Sequence, residues 1–518
     1  MEESPRAEVW RHLSESVFQE MEGWRKEHPR ATFKEIEEEL DGRLSGVRAQ
    51  MLADLAQQSE KRDWSGSEPS QRPVCPTCGS PLQARGPHER RLATQGGKDV
   101  RLSRSYGTCP QCGSGFFPLD EELDLPSSGL TPHVHQGLVL LGALVPFAQA
   151  ARHLHTLLGV HVSASQVRRL TQQAGACVQQ WQDQQAHPLA STDSEEPVPA
   201  RLVMATDGVL VPLRAKEWAE VKMVTIGEVG QQPDTQPGHC EHLSYCARLT
   251  DAETFGDLAS GEIRRRGVDR AEQVAAVQDG AEWIQHFVQG QRADAVRILD
   301  FAHAAQYISE IGDLARAHGA GLSCSWLTEH LHTLKAEGPQ SVLVALDQLC
   351  TQFPVSEMQE KLRYLHKRAA QMQYPLYQQA GWPIGSGMAE SGNKLVVQAR
   401  LKGAGMHWER TRVNPMLALR TTLCSERWQE GWTQIRAGWQ TQRLQRRRLR
   451  ADAAMARARA RLTWELLRLP PAVFRTLLPA PPAAPAPAPT GRTEAQRRWG
   501  RRAFSPKGYR LQAEFAKI

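Results

Sequence analysis

Four of the ten cysteines stand in two CxxC pairs, CPTC at Cys75–Cys78 and CPQC at Cys109–Cys112, 30 residues apart, and nothing else in the sequence restricts the fold so tightly. Each pair is a tight turn that directs two sulfurs inward. A doubled CxxC in a reducing compartment reads as four thiolates around one tetrahedral zinc, a closed structural site with no position left for a substrate. Gly96-Gly97 divides the intervening residues into two β-prone basic halves, as the hairpin of a zinc ribbon requires. The remaining cysteines, Cys177, Cys240, Cys246, Cys324, Cys350 and Cys424, are scattered and suggest no disulfide framework.

A ribbon accounts for a small part of 518 residues. At roughly 150 residues per domain the length implies three or four domains. The longest apolar stretch, from Gly137 to Ala151, contains Pro146 and Gln149 and falls short of the roughly 20 residues a spanning helix needs. The acidic start, MEESPRAEVW, lacks the apolar core of a secretory signal, so the expectation is a cytoplasmic protein with no membrane partner. Charge is unevenly placed. Residues 1–60 carry 8 Lys/Arg against 14 Asp/Glu, whereas residues 431–518 carry 19 against 4. A polycationic tail is suited to phosphate, because each neutralised phosphate releases condensed counterions.

Along the chain, residues 1–65 read as a helical module in which Phe33, Ile36, Leu40 and Leu44 keep a helical period. The zinc ribbon spans 70–120. Residues 130–183 give two helices about a turn at Gly159, with Ser163 at an N-cap and Arg168 and Arg169 in the turns that follow. That is the outline of a helix-turn-helix, and equally of an ordinary helical hairpin. A polar linker covers 184–200. Three strand candidates then precede alternating strand and helix patterns, the element order of an RNase H-like core, over 201–313. Residues 314–380 are helical in composition and read as an insertion. The core resumes over 381–430, an Arg-rich helical region occupies 431–478, and a Pro/Ala-rich linker with a basic tail closes the chain at 479–518. The expected fold class is therefore α/β: an RNase H-like catalytic core with an inserted all-helical subdomain, preceded by a zinc ribbon and a helical DNA-binding region.

Three acids stand out by position. Asp207 ends the apolar run VMATD, Asp279 ends VAAVQD, and Glu390 opens a helix beside a glycine turn where Ser386 is the expected N-cap. Any single Asp-Gly is ordinary turn chemistry. Jointly, two strand-end aspartates and a helix glutamate can hold two Mg²⁺ ions about 3.5–4 Å apart, the arrangement that phosphodiester cleavage by two-metal catalysis needs. Lys394, Arg400, Lys402, Arg410 and Arg412 follow and suit phosphate contacts. Trp382 and Trp408 are available either for stacking on an unpaired base or for core packing.

The chain resembles the DDE transposases of bacterial insertion sequences, and most closely the Kra-type insertion-sequence family. The resemblance rests on CPTCG and CPQCG followed by FFPLDEEL, on MATDGVLVPLR with EWAEVKM, on VQDGAEWI and ILDFAHAAQYI, and on WPIGSGMAESGNKLVVQARLKGAGMHW, which is the most specific stretch. These cover most of residues 30–430. The resemblance implies DNA transposition and recombination by a mobile-element enzyme that binds terminal inverted repeats and is associated with the bacterial nucleoid. It implies strand cleavage and transfer with magnesium, and two DNA ends held by a homo-oligomer. Asp279 and Asp300 both end strand-like runs. Mutator-like transposases, which the chain also resembles, place the catalytic aspartate before a glycine-containing turn and a C/D-x-x-H motif about twenty residues on. Asp279 fits the first position, and Asp300 with His303 the second, as supporting or runner-up catalytic residues. A domesticated DNA-binding protein and a nuclease that only hydrolyses are the alternatives; no acid of the triad has been replaced.

Overall fold

The computed structural model describes residues 5–187, 199–230 and 238–467. Most of the expected linker, and all of the Pro/Ala-rich and basic tail, lie outside the described residues. Packing divides the chain into two compact units, Met1–Asp452 and Ala453–Ile518. In the second, the described residues are the C-terminal part of one long helix.

The chain opens with helices α1 (Pro5–Glu27) and α2 (Phe33–Ala56). Thr32 and Glu35 form a reciprocal capping box that fixes the start of α2. The apolar period in α2 foretells the helix but not its buried side. Phe33, Leu40 and Leu44 are exposed, while Ala49 and Ala53 pack against Leu92, Val100 and Leu102. Those three belong to the ribbon hairpin, β1 (Gln83–Ala93) and β2 (Asp99–Thr108), which is joined by the short β3 (Gly115–Phe116). Gly96 and Gly97 turn the hairpin at φ +84° and +70°. A Cβ on Gly97 would lie 2.7 Å from the carbonyl oxygen of Gly159, so the tip is glycine partly because it docks there.

After α3 (Pro118–Glu122) come α4 (Pro132–Leu144), α5 (Phe147–Leu158) and α6 (Ala164–Gln185). Gly159 caps α5 in the left-handed conformation, and Ser163 caps α6 by accepting from the Gln166 amide at 3.1 Å. The helix-turn-helix outline is present but not freestanding. Its core residues Leu138, Leu154, Val167 and Leu170 are continuous with Ala418, Leu419, Trp432 and Ile435 from the far end of the chain.

The central sheet has five strands in the order β6-β5-β4-β7-β8: β4 (Arg201–Pro212), β5 (Trp218–Val229), β6 (Cys240–Arg248), β7 (Gln273–Gln278) and β8 (Val296–Leu299). Strands β4, β5 and β6 are antiparallel neighbours, whereas β4, β7 and β8 run parallel. Parallel strands need helical crossovers. One of these, α7 (Ala252–Arg265) between β6 and β7, was not foreseen; Asp251 caps it by accepting from the Thr254 amide. The other crossover, α8 (Glu282–Gln291), and α9 (Phe301–Ala317), which follows β8, fall where the alternating pattern puts them.

The insertion is helical as expected: α10 (Trp326–Glu337), α11 (Pro339–Gln352), α12 (Ser356–Lys367) and α13 (Tyr374–Gln379). It shares a core with the sheet, since Leu334, Leu346 and Leu365 pack in one cluster with Ala275, Val277 and Ile298. Next, α14 (Gly387–Gly392) continues into a π-helical turn, Asn393–Gln398, and α15 (Ala399–Leu401). Helix α16 (Arg410–Cys424) packs beside α6, and α17 runs from Trp428 to Leu467. No helix among the described residues is long and apolar enough to cross a membrane.

Candidate active site and metal centre

Where the parallel ladders end, the acids begin. The last residues paired between β4 and β7 are Thr206 and Gln278, and Gln278 is paired in turn with Leu299 of β8. Asp207, Asp279 and Asp300 are the next residue in each case, so three neighbouring strands, about 4.8 Å apart, present an aspartate at one edge. Carboxyl ends of parallel strands are where open α/β sheets bind their ligands. One expectation needs correction. Asp207 is not at the end of its strand, because β4 runs unbroken through Asp207-Gly208 to Pro212, with Gly208 opposite Lys222 of β5. The glycine makes room rather than a turn: a Cβ there would meet Glu220 Oε1 at 2.2 Å.

Asp207 is half-buried. Its Oδ1 accepts from its neighbour's amide, Gly208 N–H, at 2.7 Å, and its Oδ2 accepts from Asn393 Nδ2 at 2.7 Å. Burial pushes the Asp207 carboxyl above its ordinary value; the Gly208 amide works against this, and repulsion from Asp279, Glu220 and Glu390 adds to it. All three expected acids therefore share one electrostatic field. Lys222, buried beside them, neutralises Glu220 rather than Asp207, with Nζ 2.6 Å from Glu220 Oε2.

Asp279 accepts from the Ala281 amide through Oδ1 at 2.8 Å, a turn that leads into α8. The inserted helices clamp this turn. Tyr364 donates to the Asp279 carbonyl, and Arg368, 3% exposed, donates to the Gly280 carbonyl. Gly280 has φ +81°, and a Cβ on it would lie 2.2 Å from the Tyr364 hydroxyl.

Asp300 is placed differently from Asp279. It is buried, caps α9 by accepting from the Ala302 amide at 3.0 Å, and accepts from Ser386 Oγ through its other oxygen. Ser386 begins α14 as expected, but its side chain makes no cap hydrogen bond and is committed to Asp300 instead. Both Asp300 oxygens are thus occupied in fastening β8 to the start of the helix that carries Glu390. His303 lies against the rings of Tyr307 and Tyr364, at 5.3 and 6.2 Å between centroids, and so backs the clamp on Asp279.

Glu390 stands on α14 with a side chain 59% exposed, 3.5 Å from Lys394 Nζ. Three residues on, Asn393 opens the π-helical turn; it is 4% exposed, donates to Asp207, and its Oδ1 is buried without a partner. Single π-turns inside helices often mark functional sites. Asn393, Glu220 and Lys222 were not foreseen, although Glu220 and Lys222 lie in EWAEVKM and Asn393 in the GMAESGNK stretch. Among the described residues the carboxylates do not close into a set of three donors within 4.8 Å of one another; the four cysteines alone do. The donor chemistry nonetheless fits a divalent cation. Asp207, Asp279 and Glu390 are hard oxygen donors, no cation contacts Asp207 or Asp279 in the described structure, and the exposed Glu390 side chain is free to turn.

The cysteines form the second centre. Cys75 and Cys112 Sγ lie 3.6 Å apart, and Cys78 and Cys109 Sγ 3.4 Å apart. Four thiolates around zinc at about 2.3 Å would stand about 3.8 Å from one another. The two loops are twins: Gly79 N–H donates to the Cys75 carbonyl and Gly113 N–H to the Cys109 carbonyl, with both glycines at positive φ. Burial opposes ionisation of Cys75, but the Ser114 hydroxyl and the Thr77 and Cys78 amides outweigh it and bring the thiol down to about 6. The cluster can hold a structural metal such as zinc.

The residues expected to meet DNA are not all alike. Arg168 and Arg169 are exposed on the first turns of α6. Lys402 is exposed near the Trp218 ring, and Arg410 pairs with Glu217. Trp408 is a correction: it is 6% exposed and its Nε1 donates to the Leu401 carbonyl, so its ring is a packed wall and not a stacking platform, whereas Arg400, 1% exposed, lies beneath the surface that the other basic residues share. Trp382 is also buried, under the Arg201 guanidinium at 4.0 Å. No protein-family model matches this chain, and no curated protein is detectably similar to it.

Proposed function

We propose that this protein is a DDE-type DNA transposase with an RNase H-like core, in which Asp207, Asp279 and Glu390 hold two magnesium ions and a zinc ribbon stiffens the DNA-binding half. The observation that carries the reading is the gathering of Asp207, Asp279 and Glu390 where the parallel ladder of β4 and β7 ends: burial raises the Asp207 carboxyl, repulsion from the neighbouring acids adds to it, and no cation among the described residues pairs with Asp207 or Asp279. Strand order and direction, three antiparallel strands followed by two parallel ones, support the fold. When bound, magnesium supplies activation of an attacking hydroxyl and stabilisation of the leaving oxygen. The chain's own residues do the placing. The Gly208 amide and Asn393 fix the Asp207 carboxylate, the Ala281 amide with Tyr364 and Arg368 fixes Asp279, and the Asp300–Ser386 clasp fixes the helix of Glu390.

Cleavage then follows by in-line attack of water to free a 3′-hydroxyl, which attacks target DNA in turn. The two ends this needs call for an assembled oligomer. The test uses labelled duplexes taken from the DNA bordering the coding sequence, with magnesium. The unsubstituted chain nicks at the repeat end and joins the product to target, whereas Asp207→Ala, Asp279→Ala and Glu390→Ala each lose at least a thousandfold. Asp300→Asn retains measurable cleavage. Full activity in Asp279→Ala with complete loss in Asp300→Asn would exchange their roles. Hydrolysis without joined product would make the protein a nuclease.

A further inference from the structure

Away from the carboxylates, a cavity of about 1140 Å³ opens between the first turns of α6 and the loop leading into α16. Arg168, Arg169, Arg214, Arg400 and Arg412 line it, and Glu409 is the one acid among its lining residues. Four of these arginines are exposed at the rim. Arg400 is not: it is 1% exposed, held between the Phe147 and Trp408 rings at 4.5 and 5.2 Å, with Nε donating to the Gly142 carbonyl at 3.1 Å. Its Nη2 is buried with no partner, and no carboxylate pairs with it in the described structure. Burial and the neighbouring Arg420 charge lower its pKa to about 10.

A buried guanidinium without a counter-charge is costly, and such groups persist where an anion completes them. The 22-residue helix α6 adds the positive end of its dipole to the same space. We propose that this cavity is a phosphate subsite that grips the backbone of a bound nucleic acid, with Arg400 as the fixed counter-charge at its floor. The assignment of the phosphate to DNA rests on the transposase reading. Volume agrees with it, since the space exceeds what one inorganic phosphate fills and suits a run of backbone. Arginine contacts to backbone phosphates carry no sequence information, so the grip proposed here is independent of sequence.

The test measures binding of a fluorescein-labelled duplex to the full chain across a salt titration. Arg168→Gln with Arg412→Gln, both at exposed positions, weakens binding at least tenfold at about 150 mM salt. It also flattens the slope of log K against log salt by about 2, one unit for each lost phosphate contact. Arg400→Gln weakens binding similarly and Arg400→Lys restores part of it, with melting curves confirming that each variant is folded. Arg316→Gln, on α9 and paired with Asp313, changes neither quantity. Unchanged affinity and slope in the double variant overturn the proposal. So does stabilisation of the chain by inorganic phosphate through Arg400 with no effect of the arginines on duplex binding, because the occupant is then a free phosphate compound. Failure of the unsubstituted chain to bind any duplex removes the transposase reading as well, whereas loss of cleavage alone leaves the subsite standing.

Discussion

Asp207 carries the strain of the site. Its carboxyl is raised above the ordinary value, chiefly by burial, so between the two values the folded chain holds a proton that the unfolded chain has released. Stability must therefore fall as pH rises from the ordinary aspartate value through the raised one, and the loss persists at neutral pH. Asp279→Asn keeps the acceptor for the Ala281 amide while removing one of the repelling charges. In magnesium-free buffer at neutral pH this variant melts about 2 °C above the unsubstituted chain, with the pH-dependent loss reduced; added magnesium stabilises the unsubstituted chain and not the variant. A melting point lowered by the substitution, with no change in pH dependence, would mean the two carboxylates do not interact. Asp207 and Asp279 were legible as a pair because both close apolar runs before glycine. What the glycines are for was not: one clears a path for Glu220 and the other for Tyr364, and such contacts between distant residues leave no local pattern.

Among elements, the inserted helices do more than fill space between sheet strands. Tyr364 and Arg368 reach back to the Asp279-Gly280 turn, so an insertion that reads as bland helix in the sequence holds that turn in place. Gly280→Ala forces a methyl group onto the Tyr364 hydroxyl and strains a left-handed backbone, at a cost of about 1–3 kcal/mol. Tyr364→Phe added to Gly280→Ala recovers part of that stability, and the coupling energy from the four melting curves isolates the clash from the strain. Strict additivity would show that the hydroxyl does not touch the turn. Strand and helix alternation was readable because β7 and β8 are short apolar runs, while α8 and α9 are longer and carry a helical period. Helix α7 was overlooked because its sequence, AETFGDLASGEIRR, has two glycines and few apolar residues, and the π-turn at Asn393 is invisible to any period of 3.6.

For the molecule as a whole, segments that look like separate domains along the chain share cores. Val167 and Leu170 of the helix-turn-helix outline pack with Ala418 and Trp432, and Leu346 of the insertion packs with Ile298 of the sheet. Boundaries read from composition shifts cannot show this, because the partners lie far apart in sequence, Val167 and Ala418 by 251 residues and Ile298 and Leu346 by 48. The ribbon also shares a core with α2, but its metal cluster was legible because its four ligands and its Gly-Gly turn are all local, and the cysteines gather where their spacing put them. Purified chain should carry one zinc per molecule by elemental analysis, and Cys109→Ala should lose it together with cooperative melting of the ribbon. A full zinc content in that variant would place the metal elsewhere.

The central claim is that Asp207, Asp279 and Glu390 form a divalent-ion site, and manganese paramagnetic resonance on the DNA-bound chain tests it without relying on turnover. Titration should show two spin-coupled Mn²⁺ ions per active chain, with the coupled signal lost in Asp207→Ala and in Glu390→Ala while the zinc content stays unchanged. Retention of the coupled signal after all three acids are replaced, or its absence from the unsubstituted complex, would contradict the account.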